Sequence, residues 1–421
     1  MTQFTERLHN LFPIRSFGKP ARLFLIAVVI DGIVYSAWML FFNLFILSQG
    51  YDKTFMGLVN SVPSIATLVL GIPLGMLSDR IGRRPAMLLG IAINMLASLL
   101  VVLAKTPELL VAASFLAGVG STLYVNSQAP FMMKASNASN RALLFSLSFG
   151  LNTLSGTVGS LFAGTLPAIF GGIFQVAADS TLAYQLVLVC SIILGSCSLI
   201  PVFFIEEPFS TVAAPENPLK SLVGILRKQV YWLLFLPNLL VGIGAAILIP
   251  YMNVYFTETF QFTAADLGIM FSLSALFTGL GSIIGPRVAE KLGSKIDTVA
   301  WTQGLSLIFL LLIGFSPFGW LAMIGFLARG VLMNMANPLY SAFAMEITVP
   351  TEQGAVNSLL SISWTIGWAV GPLISGLVQD HYGFTPLFIA TALLYGTATT
   401  LVWLFFHERE QHLIAAGGQT V

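Results

Sequence analysis

Gly75-Met-Leu-Ser-Asp79-Arg80-Ile-Gly82-Arg83-Arg84-Pro85 is a short charged turn set between two uncharged runs. Residues 54–78 and 85–104 contain no Asp, Glu, Lys or Arg. About 20 apolar residues cross the hydrocarbon core of a bilayer, so each run is long enough to span one. The turn between them is then tight, polar and at the membrane surface. Gly75 lets neighbouring helices approach closely. Asp79 can accept from free N–H groups at a helix start, and Gly82 permits a positive φ. Arg80, Arg83 and Arg84 can hold helix C-terminal carbonyls or lipid phosphates.

The whole chain has the character of those two runs. It is 56% hydrophobic and 9% charged, with a mean hydropathy of +0.87, whereas a soluble domain carries about 25% charged residues. This is a polytopic, all-α membrane protein by composition. A net charge of +1 gives no reason to expect a nucleic-acid partner. Cys190 and Cys197 share one apolar run and read as packing residues. The four histidines lie outside or at the ends of apolar runs, which speaks against a haem or metal centre. Neither a cofactor nor a metal is expected, and no cleavable leader is read in the polar, basic residues 1–20.

Twelve helices are expected, roughly at 21–48, on either side of the charged turn, then at 109–133, 141–165, 181–205, 231–256, 264–287, 297–315, 319–344, 353–378 and 384–406. The uncharged run 298–328 is divided at Ser316-Pro317-Phe318-Gly319, a turn signal. Pro167 to Ser180 is expected outside the membrane, and the tail after His407 unstructured. Residues 206–230 form the longest polar interval and divide the chain into an N-terminal half, 1–205, and a C-terminal half with tail, 231–421. Leu219 to Arg227 could lie on the surface as an amphipathic helix. With the N-terminus inside, outward loops hold only Lys53 and Lys105, and Arg329 lies within a helix. The other Lys and Arg fall at cytoplasmic ends or loops, so both termini are expected in the cytoplasm of a bacterial inner or plasma membrane.

The second half repeats the first with an offset of 211 residues. Asp79-Arg80-Ile-Gly82 is set against Glu290-Lys291-Leu-Gly293, Gly57 against Gly268, Ser61 against Ser272, and Gly156 against Gly367. Phe115-Leu-Ala pairs with Phe326-Leu-Ala, and Asn126 with Asn337. The signature turn, its degenerate copy, the central linker and the twelve-helix count closely resemble the major facilitator superfamily over nearly the whole chain. That resemblance implies two pseudo-symmetric six-helix bundles with a substrate site between them near the midplane. It also implies that Gly75, Asp79, Arg80, Gly82, Arg83 and Arg84 latch the cytoplasmic side when the cavity opens outward, with Glu290, Lys291 and Gly293 as a weaker second latch.

Two charges stand deep in the membrane. Asp31 and Arg329 each lie about ten residues into their expected helices, roughly 15 Å at 1.5 Å per residue. A charge there costs about 2.5–3.5 kcal/mol on insertion scales. Asp31 reads as a proton site, or as the counter-ion of Arg329. Arg329 reads as the binder of an anionic solute, and a fixed structural pair is the bland alternative. The resemblance places helices one, four, seven and ten around the cavity. Tyr35, Trp38, Asn126, Gln128, Asn253, Asn334 and Asn337 are then candidate substrate contacts, with Asn152 and Trp364 added from helices five and eleven.

The chain departs from the family in two places. Ser114 stands four residues before Gly118 where the family often has Arg, which weakens proton coupling by that route. Ser160 stands where exporters of the drug/proton antiporter type often have Pro. There is no Walker-type phosphate loop, so ATP is not the direct energy source. The expected function is secondary active transport, proton-coupled, with efflux of amphipathic or drug-like compounds preferred over uptake of a polar or anionic metabolite. Na⁺ is the alternative coupling ion, and a monomer is expected. A polytopic enzyme is the remote rival, resting on the isolated pair Asp380-His381; a non-transporting receptor is a third.

Overall fold

The structure, a computed structural model, describes residues 17–137, 140–206, 224–225 and 227–415. Twelve helical spans among them are long and apolar enough to cross a membrane. They are α1 (Lys19–Ser48), α2 (Lys53–Ile81), α3 (Arg83–Leu103), α4 (Pro107–Lys134), α5 (Arg141–Phe174) and α6 (Thr181–Phe203) in the first half. In the second half they are α7 (Gln229–Phe260), α8 (Ala264–Leu292), α9 (Lys295–Phe315), α10 (Gly319–Glu346), α11 (Gln353–Tyr382) and α12 (Thr385–Ala415). Most of the expected surface helix at Leu219 to Arg227, most of the 206–230 linker and residues 1–16 lie outside the described residues.

Local chemistry sets the ends. Asp52 caps α2 by accepting from Phe55 N at 2.6 Å. Thr263 and Asp266 form a reciprocal capping box at the start of α8, which satisfies two free N–H groups at once. α2 gives way to α3 at Gly82, with φ +95, a conformation in which a side chain would be strained. Gly293, at φ +72, ends α8 in the same way at the repeat-related position. α7 is interrupted by a 3₁₀ turn at Ile249–Tyr251, around Pro250.

Two boundaries differ from the sequence expectation. α5 continues through Pro167 to Phe174 and stops at Gln175, φ +55. Pro and Gly end helices in water because water accepts the freed backbone groups; inside a membrane the helix is the cheaper partner. α12 likewise continues past His407 to Ala415. Its Glu410 is buried and accepts from Ser294 Oγ (2.6 Å), Lys295 N (2.7 Å) and Ile296 N (2.9 Å), which caps α9.

The helices pack as two bundles. α1 packs on α5 and α6, and α4 on α2 and α3; in the second half α7 packs on α11 and α12, and α10 on α8 and α9. The bundles touch through α2 against α11 and α5 against α8. The repeat is visible in these seams. Gly57 on α2 lies on α11, and its counterpart Gly268 on α8 lies on α5.

Candidate functional site

Among the described residues, the hydrogen bonds and ion pairs between the two halves gather at one membrane face. The joined face is the one opposite the charged α2–α3 loop. There Asn253 on α7 is fully buried and donates to the α1 carbonyls of Leu40 (2.8 Å) and Met39 (3.3 Å). Asn43 on α1 donates in turn to Pro250 O at 2.6 Å. Lys53 Nζ reaches Glu258 on α7 at 2.6 Å. Asp380, near the end of α11, accepts from Lys53 N (3.0 Å), Thr54 N (2.7 Å) and Thr54 Oγ1 (2.5 Å). One half thus caps the first turn of a helix in the other. That bonding places Asp380 in a helix cap, with His381 Nδ1 turned to Leu377 O at 2.9 Å.

Glycines make this closure possible. A Cβ on Gly376 would lie 2.3 Å from Lys53 O, and one on Gly57 2.3 Å from Pro372 O. In the second seam a Cβ on Gly164 would lie 2.7 Å from Gly268 Cα.

At the loop face, among the described residues, no hydrogen bond or ion pair joins the halves. Asp79 pairs with Arg83 of its own loop. Arg83 Nη1 donates to Ser78 Oγ (2.8 Å), which is hydrogen-bonded to Ser127 Oγ on α4 (2.8 Å). Arg84 donates to Phe203 O on α6 and lies over the Phe203 ring. The signature loop is therefore tied within the first half. The second loop is held within its own half by Lys295 on Glu346, at 2.5 Å, and by Glu410. Lys228 and Tyr231 at the start of α7 hold Glu352, just before α11. These bonds keep the Glu352 carboxyl below the usual carboxylate range. Met76, Tyr35, Asn337, Ser341, Ser361 and Trp364 are exposed. We read these exposed side chains as the wall of a central cavity open toward the loop face.

Helix geometry assigns the walls, at about 100° per residue. On α11, Gly367 and Gly371 lie on α7, and Pro372 and Gly376 on α2. Trp364 and Trp368 occupy the sector between these two contacts, which faces the cavity, and Trp364 is 37% exposed. On α1, Tyr35 is 59% exposed, with Asp31 one turn away on the same side. Asp31 has Asn152 Nδ2 of α5 near its Oδ2 at 3.5 Å. On α10, Asn337 is exposed beside the cavity.

Arg329 is turned elsewhere. It lies about 80° around α10 from Asn337, is 5% exposed, and donates through Nη2 to Tyr395 Oη of α12 at 2.7 Å. Its guanidinium also stands 5.3 Å from the Tyr395 ring centre. It sits inside the C-terminal bundle, and the structure does not bring it to Asp31 or to the cavity wall. Asn253 belongs to the closed seam. Asn126 donates to Gly71 O of α2 at 3.0 Å, and Asn334 to Gly330 O of its own helix at 2.8 Å. Trp38 is half-buried against Phe42, and Gln128 is half-buried on α4. Of the candidates, Asp31, Tyr35, Asn152, Asn337 and Trp364 are the ones gathered at the cavity. The seam roles of Glu258 and Asp380 were not read from the sequence; its signals for them were charge at expected helix ends and, for Asp380, the pair with His381.

The sequence pattern described as Major Facilitator Superfamily matches residues 23–255 and 234–419. A stretch of 189 residues is 32% identical to Multidrug resistance protein MdtH of Baumannia cicadellinicola subsp. Homalodisca coagulata, covering 44% of each chain. A stretch of 178 residues is 30% identical to Multidrug resistance protein MdtG of Serratia proteamaculans (strain 568), covering 40% of this chain and 42% of that one. The chain thus spans less than half the length of these curated relatives in the matches. Among solved structures, a bacterial homologue of the human lysosomal transporter Spinster, inward-facing and unoccupied, superposes with a TM-score of 0.74 at 16% identity, over 96% of this chain and 97% of that one. The nucleoside transporter NupG gives a TM-score of 0.70 at 15% identity, over 93% and 99%. At such identities the likeness shows the fold.

Proposed function

Because this chain belongs to the Major Facilitator Superfamily, and so is an integral membrane transporter of small solutes, we propose that it exports amphipathic, drug-like compounds across a bacterial inner membrane in exchange for protons. The observation that carries this reading is Asp31, a carboxylate held at the wall of the cavity beside Tyr35 and Asn152. A carboxyl group there can be loaded from whichever side the cavity faces. The aromatic walls of Tyr35 and Trp364 suit an apolar or amphipathic solute. The names of the relatives MdtG and MdtH support efflux of drugs.

On this reading the structure is the inward-open state, with the loop face in the cytoplasm. Rocking of the halves would break the Asp380 cap and the Asn43–Asn253 seam, and bring the loop faces together. Asp79 would then exchange Arg83 for a partner across the halves, as the latch role requires. Uptake of an anion through Arg329 loses its support, since Arg329 faces Tyr395.

The test uses purified protein in liposomes that enclose a pH-sensitive dye. A proton gradient is imposed, and amphipathic cations, lipids, organic anions and sugars are added in turn. Proton flux evoked by amphipathic compounds, and lost in folded Asp31→Asn, is the expected result. Solute movement without proton flux, or equal activity in Asp31→Asn, overturns the proton role and turns the search to Na⁺.

A further inference from the structure

Asp31 has a second face. Between α1, α3, α4 and α6, on the side of α1 turned from the other half, lies a chamber of about 50 Å³. A buried water needs roughly 10–15 Å³ of such space, so there is room for more than one. Its polar lining is Asp31, Asn94, Ser121, Tyr124 and Ser198. Val34, Ile91 and Met95 with Gly90 and Gly195 complete the wall. Gly90 lets the α3 and α4 backbones close around the chamber, since a Cβ there would lie 2.7 Å from Tyr124 N, whereas a Cβ on Gly195 would meet the Met95 side chain, 2.5 Å from Sδ.

The polar groups are left short of partners in a consistent way. Asn94 spends its Nδ2 on Ala117 O at 3.0 Å, which leaves its carbonyl oxygen to accept. Ser198 donates to Gly195 O at 2.6 Å and keeps lone pairs free. Tyr124 is 7% exposed, and its hydroxyl, with Gln128 as polar neighbour, has no hydrogen bond of good geometry. Buried hydroxyls without a partner are rare in native proteins and point to water. Among the described residues, Asp31 itself receives only the long contact of Asn152.

We infer that this chamber holds water that solvates the Asp31 carboxylate from behind, and that Asn94, Tyr124 and Ser198 are positioning residues that keep Asp31 able to exchange its proton. The inference rests on the proton role proposed for Asp31 and deepens it. Without the chamber, Asp31 would meet water only through the central cavity, where a bound solute displaces it. With the chamber, the carboxylate stays solvated while solute occupies the front. The titratable groups that feel the Asp31 charge are Tyr35 on α1 and Tyr124 on α4. The groups of α3, α5 and α6 named here, Asn94, Asn152 and Ser198, are neutral.

The test does not depend on knowing the solute. Full-length protein in lipid nanodiscs is titrated by infrared difference spectroscopy, and the carboxylic C=O band that is absent in Asp31→Asn reports Asp31. In Asn94→Leu, which keeps the size but removes the dipole and dries the chamber, the midpoint should move at least about one pH unit alkaline, a tenfold change in proton affinity. Ser198→Ala should move it less in the same direction, and guards against misfolding of the first variant. Thr399→Val, which removes a buried hydroxyl bonded to Gln303 in the other half, should leave it in place. A midpoint unmoved in both folded chamber variants overturns the inference. If instead the chamber variants shift Asp31 but Asp31→Asn transports with normal proton flux, the solvation role stands and the coupling role fails.

Discussion

Substituting Gly376 by Ala should open the closed face. The added Cβ would stand 2.3 Å from Lys53 O and 3.0 Å from Lys53 C. Carbon and oxygen meet comfortably at about 3.3 Å, so α2 and α11 must separate by about 1 Å at this crossing. The obstacle is backbone, which cannot rotate aside as a side chain can. Overpacking of this kind costs about 1–3 kcal/mol. The gain in helix propensity from Gly to Ala, up to ~1 kcal/mol, is shared by both conformations and cancels. The equilibrium should therefore shift about 5- to 150-fold toward the conformation in which this face is open. The reporter is a cysteine at Ser61, fully buried one turn from Gly57 on α2, reacted with a water-soluble maleimide. Cys190 and Cys197 are exposed and are first replaced by Ser. A rise of at least about 5-fold in the labelling rate is expected. Gly164→Ala, with a 2.7 Å contact in the other seam, should act in the same direction, and two seams this distinct should add. Unchanged labelling in a well-folded Gly376→Ala protein would refute the argument, because the closed face would then tolerate the bulk without opening.

Two further outcomes follow from the bundle interiors and ends. Tyr395→Phe removes the hydroxyl that accepts from Arg329, and a hydrogen bond to a charged group contributes about 1.5–3 kcal/mol; the thermal midpoint in detergent should fall while the order of solute preference stays the same, and a change of preference at unchanged stability would return Arg329 to the substrate site. Glu352 is held below the usual carboxylate range by Lys228 and Tyr231, so its stabilisation is present above the unfolded carboxylate value of about 4.3 and disappears as pH falls through the lowered folded value. The difference in melting temperature between wild type and Glu352→Gln should accordingly be flat from about pH 8 to 5 and vanish only below about pH 4; a difference that fades near pH 6 would contradict this.

The helix count and the repeat were legible because a bilayer punishes charge. Uncharged runs and charged turns alternate, and the 211-residue offset predicts pairs such as Gly57 and Gly268 that the structure uses in equivalent seams. The direction of the polar side chains was not legible. Polarity within a span says that a residue faces protein, but α10 has protein on several sides. Arg329 and Asn337 are both polar and eight residues apart, yet one enters the bundle interior and the other the cavity. Asn253 is polar for a third reason, the seam with α1. Asp380 was visible as a charge at a helix end, but its partners are 326 and 327 residues away, and no local pattern specifies a cap supplied by another helix. The end of α5 misled for a physical reason already given: Pro167 and the following glycines punctuate a chain in water far more strongly than one in lipid.

The placement of the two deep charges also separates their possible work. Rigid bundles that rock against each other change the contacts between halves and leave those within a half almost untouched. Arg329 and Tyr395 lie in one bundle, as do the capping bonds of Glu410. A group so placed meets the same surroundings in either conformation, so it can set the potential of its half but cannot be loaded and unloaded by the transition. Asp31 stands at the boundary, with Tyr35 exposed one turn away and the chamber behind it. On the proposed rocking motion its front would change sides with the cavity and its back would not. Of these two charges Asp31 has the geometry that the proposed coupled exchange demands, which is why the proposed proton site is Asp31 and why Arg329 is assigned to the fabric of the C-terminal bundle.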